Sequence, residues 1–254
     1  MRLALTSGDD GLVRAEASPG ARGLCDLCWH PVLAKCGALV EWHWAHISNQ
    51  DCDEWSEPDS GWHRGWQNLF PGNRREVVIG RHRADVVTPD GLVVELQHSS
   101  LSTYEIAERE TFYGRMVWVF DAAEAYESDR LNIRRPAGKT YQTFRWKHPR
   151  KSIAACRRPA FLDLGDGRVF KLGKIHSASP CGGWGTLLPT AELVEALGGT
   201  AVPSGTAVVP GTTRAGGGGG GTRRFIGGYQ YHRSGPAPRT PISPVVSDTT
   251  GGLR

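Results

Sequence analysis

The chain has 254 residues, 39% of them hydrophobic, with 30 Lys and Arg against 26 Asp and Glu, and six cysteines. It has no long apolar run, which excludes an apolar transmembrane helix, and its opening MRLALTSGDDG lacks a secretory-type apolar stretch, so a cytoplasmic protein is expected. Six arginines and one acid (Asp248) fall from Thr200 onward; the remainder is close to neutral, so any nucleic-acid footprint must be local.

Residues 1–24 predict a β-hairpin, with RLALT and LVRAEA flanking the turn SGDDG. Residues 25–55 predict a small zinc-binding module. Cys25-x2-Cys28 sets two thiolates on a tight turn, the usual half-site of a tetrahedral structural zinc. The other half comes either from His43 with His46 or from His46 with Cys52. Alternation along a strand points His43 and His46 to opposite faces, which favours His46 with Cys52. Cys36 reads as a small hydrophobe in an apolar strand. Reduced core cysteines without metal are the alternative for the whole cluster.

Residues 56–125 carry the candidate chemistry. Ser56 as a cap and Pro58 in the first turn predict a helix to about Phe70. Asp59, His63 and Gln67 share one face of it, beside an apolar stripe of Trp62, Trp66, Leu69 and Phe70. Strands follow at 75–80, 82–88 and 92–97. Pro89-Asp90-Gly91 fits a three-residue hairpin loop with Gly91 in the left-handed region. That loop pairs Thr88 with Leu92, so Asp85 faces Glu95 and Arg83 faces Gln97, all on one polar side. Ala84, Val86, Val94 and Leu96 form the apolar side. Two carboxylates directly opposite repel each other unless a cation lies between them. Mg²⁺ accepts one or two carboxylates and keeps waters for phosphodiester hydrolysis. An ordinary solvated hairpin, with Arg83 paired to one acid, is the alternative. Ser102-x-x-Glu105 is a capping box opening a helix to about Arg115, and MVWVF at 116–120 reads as a buried strand.

Residues 126–198 combine a basic segment with a β-rich extension. Positions 130–151 hold eight Lys or Arg and no acid, interleaved with Tyr141, Phe144 and Trp146. They predict phosphate contacts and stacking on unpaired bases, or a solvated linker. Strands are expected near Phe161–Leu164 and Arg168–Ile175, with a helix from about Thr190. Residues 199–254, a Gly/Pro/Arg tail with six consecutive glycines, read as disordered.

Several short motifs in order resemble the competence protein CoiA-like family of the PD-(D/E)XK nuclease superfamily. They are CDLC at 25–28, HWAH at 43–46, DSGWHRGWQ at 59–67, RADV at 83–86, ELQHSSLS at 95–102, and Tyr113 followed by VWVF at 117–120. The resemblance runs from Cys25 to Asp121. It implies an α/β (α+β) fold: a restriction-endonuclease-like αβββαβ core, a zinc-ribbon-like module in front and a β-rich C-terminal extension. It also implies that Asp85 and Glu95 bind the catalytic Mg²⁺, with Gln97 in place of the usual Lys. Gln97 would orient the attacking water, and His63 and Asp59 would assist. Gln67 likewise replaces a helix Lys. The expected function is a metal-dependent DNA nuclease of competence, recombination or phage type, acting on single- or double-stranded DNA. The alternative is a catalytically weak DNA-binding adaptor that assists recombinase loading.

Overall fold

Alternating apolar and polar side chains in the first 48 residues build five short antiparallel strands. They are β1 (Leu3–Gly8), β2 (Gly11–Glu16), β3 (Arg22–Leu24), β4 (Pro31–Lys35) and β5 (His43–His46), in the sheet order β2-β1-β3-β4-β5. The computed structural model describes residues 1–48, 52–55, 60–149, 151–178 and 181–200. The N-terminal hairpin and the Cys/His stretch therefore share one sheet, because Leu24 on β3 pairs with Leu5 on β1. Ala4, Cys25, Val32, Ala34 and Trp44 form its small core.

Beyond it lie α1 (Gly61–Gln67), β6 (Arg75–Ile79), β7 (His82–Val87), β8 (Val93–Gln97), α2 (Thr103–Tyr113), β9 (Met116–Asp121) and α3 (Ala123–Glu127). The chain continues through β10 (Leu131–Arg134), β11 (Gln142–Trp146), β12 (Ala160–Asp163), β13 (Arg168–Ala178), β14 (Cys181–Pro189) and α4 (Thr190–Ala196). These strands make one nine-stranded sheet, β10-β11-β14-β13-β12-β9-β8-β7-β6. β9 runs parallel to both β8 and β12. The capping box at Ser102 and Glu105 is present and opens α2, the crossover between β8 and β9. MVWVF reads as an unbroken apolar run because β9 is central and buried on both faces.

On one face of this sheet α2 packs through Ile106 against Met116, Trp118 and Phe120. On the other face α1 and α4 pack through Trp62, Trp66, Leu193 and Val194 against Val94, Val117, Val119 and Phe161. Both indole N–H groups of α1 donate to one carboxylate oxygen of Asp163 on β12, at 2.8 and 2.7 Å, and fix the helix in place. The mixed α/β class is as expected from the sequence. Residues 131–146 form the β10–β11 hairpin rather than a solvated linker: Phe144 and Trp146 are buried in the core and cannot stack on bases. Ser60, rather than Ser56, caps α1 by accepting from His63 N–H; Ser56, Pro58 and Asp59 lie outside the described residues. So does the tail from 201 onward. Among the described residues, no helix is long and apolar enough to cross a membrane.

The two sheets are joined at Glu76, which has φ +48° and lies between the paired positions Arg75 and Val77. Its carboxylate accepts the backbone N–H groups of Arg2 and Leu3 at 2.8 and 2.9 Å, while Arg14 donates to the carbonyls of Arg75 and Glu76.

Candidate functional site

The β7–β8 hairpin turns as its sequence dictates. Thr88 N–H donates to Leu92 O and Gly91 N–H to Thr88 O, with Gly91 at φ +81°. Val87 pairs with Val93 and Val86 with Val94. One step further Asp85 stands opposite Glu95, but there the backbone ladder stops. Leu96 N–H donates instead to Asp85 Oδ2 at 2.7 Å, so the Asp85 side chain occupies the opening between the two strands.

Helix α1 reaches this opening from one side. His63 Nε2 donates to Asp85 Oδ1 at 2.8 Å. One turn later Gln67 is 0% exposed, and neither of its polar side-chain atoms has a hydrogen-bond partner among the described residues. Helix α2 approaches Glu95. Arg109 donates to Glu95 Oε2 at 3.2 Å, to Gln97 Oε1 at 3.5 Å and to the carbonyl of Trp55 at 3.1 Å. Glu95 is 3% exposed, and its other oxygen, Oε1, has no partner among the described residues. Burial, reinforced by the neighbouring charge of Asp85, raises the Glu95 pKa to about 8, against the opposing pull of Arg109 and the Asp85 backbone amide. Tyr113 completes the cluster. Its buried hydroxyl has no partner among the described residues, and burial followed by the charges of Glu95 and Asp85 pushes the phenol above its usual range.

Asp85, Glu95, Gln97 and His63 therefore come together as the sequence predicted, whereas Asp59 lies outside the described residues. Arg83 does not join them. It turns to the N-terminal sheet, where it pairs with Asp26 and approaches Cys25 Sγ at 3.6 Å. The hairpin splays beyond Val86–Val94, so register no longer holds Arg83 beside Gln97. Gln97 is engaged at both ends, donating to Ser99 O at 3.0 Å and accepting from Arg109. Sequence reasoning missed Arg109. Its only signal was a cation placed one helical turn after Glu105 and one before Tyr113, on the side of α2 that buries Ile106.

The second candidate centre is a cluster of Cys25, Cys28, His46 and Cys52 whose donor atoms all lie within 4.8 Å of one another. Cys25 and Cys52 Sγ are 3.6 Å apart, and Cys28 Sγ is 3.2 Å from His46 Nε2. Sulfurs on one tetrahedral zinc stand roughly 3.8 Å apart, so the cluster has the dimensions of a closed metal site. Burial opposes ionisation of Cys25. The amides of Cys28 and Leu27 and the Arg83 guanidinium outweigh it and lower the thiol below its usual value. Burial and the neighbouring sulfurs raise Cys52, a crowding that a bound cation relieves. His43 stands outside the cluster, with Nδ1 on the Glu41 carbonyl, and Cys36 lies just beyond the end of β4, partly exposed.

The segment after Cys52 links the two centres. Asp53 accepts from His82 Nδ1 and from Arg83 N–H, both at 2.9 Å. Trp55 stacks on His82 with ring centroids 3.3 Å apart, and its carbonyl holds Arg109. No family model, curated protein or solved structure matches the chain.

Proposed function

We propose that the chain is a divalent-metal-dependent deoxyribonuclease of the PD-(D/E)XK type, with Asp85 and Glu95 as ligands of a Mg²⁺ ion and zinc in the Cys25/Cys28/His46/Cys52 cluster. The observation that carries the reading is Glu95: a fully buried carboxyl, one oxygen without a partner, beside a second carboxylate. Arg109 offsets part of the charge of the two carboxylates, and the rest is offset by a proton on Glu95 or by a metal cation. The order α1, β6-β7-β8, α2, β9, an antiparallel meander followed by a helical crossover to a parallel strand, is the αβββαβ order this reading requires.

The donor set suits a hard cation that retains most of its waters. Asp85 and Glu95 would hold the ion, which would supply acidification of the attacking water and neutralisation of phosphate charge. The side chains hold that arrangement. His63 orients Asp85 through Oδ1. Arg109 fixes Glu95 through Oε2, leaves Oε1 for the ion, and supplies a positive charge that the amide of Gln97 cannot. Because Gln97 is tied at both ends, the water-orienting role passes to Gln67, whose polar atoms are buried and unused. The zinc cluster has four protein donors and no open position, which makes it structural.

The Arg109–Glu95 ion pair also favours a second reading: an adaptor on a nuclease scaffold, binding DNA and handing single strands to a recombinase with little turnover. Cleavage of plasmid and single-stranded DNA in Mg²⁺ or Mn²⁺ decides. The nuclease reading expects cleavage that EDTA, Asp85→Ala and Glu95→Ala each abolish. Cleavage that survives both substitutions refutes the site. Binding without cleavage in either metal selects the adaptor.

A further inference from the structure

Strands β10, β11, β13 and β14 contain no Asp or Glu, yet carry Arg134, Arg145, Arg168, Lys171 and Lys174. One face of this half-sheet is closed by Phe144, Trp146 and Phe170. The other face is open, and its registers place one row across all four strands: Arg134 pairs with Thr143, Thr143 with Trp184, and Trp184 with Lys174. The neighbouring row sets Asn132 beside Arg145 and Arg145 beside Gly182. Arg134, Arg145 and Lys174 are exposed and make no ion pair among the described residues.

At the centre of the row, Trp184 is 40% exposed. Gly173 lies beneath its indole: a Cβ there would stand 2.6 Å from the ring. The missing side chain lets the indole lie flat against the β13 backbone, with its outer face turned to solvent. Tyr141 flanks it, with ring centroids 6.0 Å apart. An outward aromatic face between unpaired cations matches the base and phosphate repeat of an unpaired strand. In a duplex the bases are stacked on one another and offer no face to an indole.

We infer that this open face is a stacking platform for single-stranded nucleic acid, with Trp184 receiving a base and Arg134, Arg145 and Lys174 its phosphates. The inference rests on the proposed nuclease reading for the choice of a polynucleotide ligand. The aromatics that serve it are Trp184 and Tyr141, since Phe144 and Trp146 are core residues.

The test is fluorescence anisotropy of labelled dT20 with the full, zinc-loaded chain in buffer without Mg²⁺ or Mn²⁺, which separates binding from cleavage. Trp184→Ala is expected to weaken binding about 10- to 100-fold and Trp184→Phe much less. Arg134→Ala with Arg145→Ala should flatten the log–log salt dependence by roughly 1.4, the value for two phosphate contacts on a single strand. Circular dichroism melts check that each variant is folded. Unchanged dT20 binding by Trp184→Ala overturns the platform, as does duplex DNA binding with equal affinity and equal dependence on Trp184. Trp184-dependent binding of phosphatidylserine vesicles, with no dT20 binding, overturns it in favour of a lipid surface. A chain that binds dT20 through Trp184 but never cleaves DNA supports the platform and refutes the nuclease reading alone. A chain that cleaves while its binding ignores Trp184 refutes the platform alone.

Discussion

Glu95 gives a sharp test of a cation between the two carboxyls. In the folded chain its pKa is raised to about 8, against 4.5 for an ordinary glutamate. The folded state therefore holds a proton that the unfolded chain releases near pH 4.5. Between pH 4.5 and about 8 the unfolded state binds fewer protons, so metal-free stability falls as pH rises through this window and levels off above it. The shift sets a ceiling on the order of 5 kcal/mol for that loss. Glu95→Gln keeps the shape, leaves an oxygen to accept from Arg109, and removes the titration. Without added Mg²⁺ at pH 8 the zinc-loaded variant should melt above the wild type, and its melts should lose the part of the pH dependence that Glu95 contributes. Addition of 10 mM Mg²⁺ should stabilise the wild type by about 1.4 kcal/mol if the dissociation constant is about 1 mM, roughly 3–6 °C in Tm, and leave the variant unmoved. Thermal melts at pH 5, 6.5 and 8, with and without Mg²⁺, measure all of this. A variant less stable than wild type at pH 8 without added Mg²⁺, or one that Mg²⁺ stabilises equally, refutes a metal held by Glu95.

Two further outcomes follow from the same geometry. The purified chain should carry one zinc by elemental analysis. Chelation or Cys28→Ser should unfold the N-terminal sheet, read as loss of near-ultraviolet dichroism from Trp44, since metal binding contributes on the order of 10 kcal/mol to such small modules; a zinc-free sample with an unchanged melt contradicts the assignment. Asp163→Ala should cost about 2–5 kcal/mol, because it strands two buried indole N–H groups, while Asp163→Asn retains an acceptor and costs less. Equal melts for the two variants would mean that Asp163 does not anchor α1.

Local rules carried most of what was legible in the sequence. The Pro-Asp-Gly loop set the hairpin register, so the meeting of Asp85 and Glu95 followed by counting. Cys25-x2-Cys28 and strand alternation favoured His46 with Cys52 over His43, and those four residues are the ones that cluster. What stayed hidden depends on non-local contacts. Arg109 looked like one more helix cation, because nothing within α2 reveals that its partners are Glu95, 14 residues away, and the carbonyl of Trp55, 54 residues away. Strand β14, CGGWGTLLP, was not among the expected strands, which ended near Ile175. Its glycines are there because neighbouring groups approach it closely: Gly185 faces the Phe170 ring and Gly183 the Lys174 carbonyl. Arg83 was misread for a different reason. Ideal pairing was extended past the point where Asp85 replaces the backbone acceptor and the strands part.

The connection between the Cys/His cluster and the acidic site leads to a last prediction. Only Asp53 and Glu54 separate Cys52 of the Cys/His cluster from Trp55, which stacks on His82 and lies 5.4 Å from the Arg109 guanidinium. Arg109 in turn lowers the pKa of Glu95, so whatever loosens Arg109 raises that pKa further. Trp55→Leu keeps an apolar side chain and the backbone carbonyl but removes the stacked ring and its cation–π contact, interactions of about 1–2 kcal/mol. Zinc should remain at one per chain. The pH at which Mg²⁺ begins to stabilise the protein should move upward, because the ion needs Glu95 ionised. Arg109→Gln should move it further in the same direction. A purely structural Trp55 would lower the melting temperature at every pH and leave that onset unmoved, and such a result would sever the metal cluster from the acidic pair.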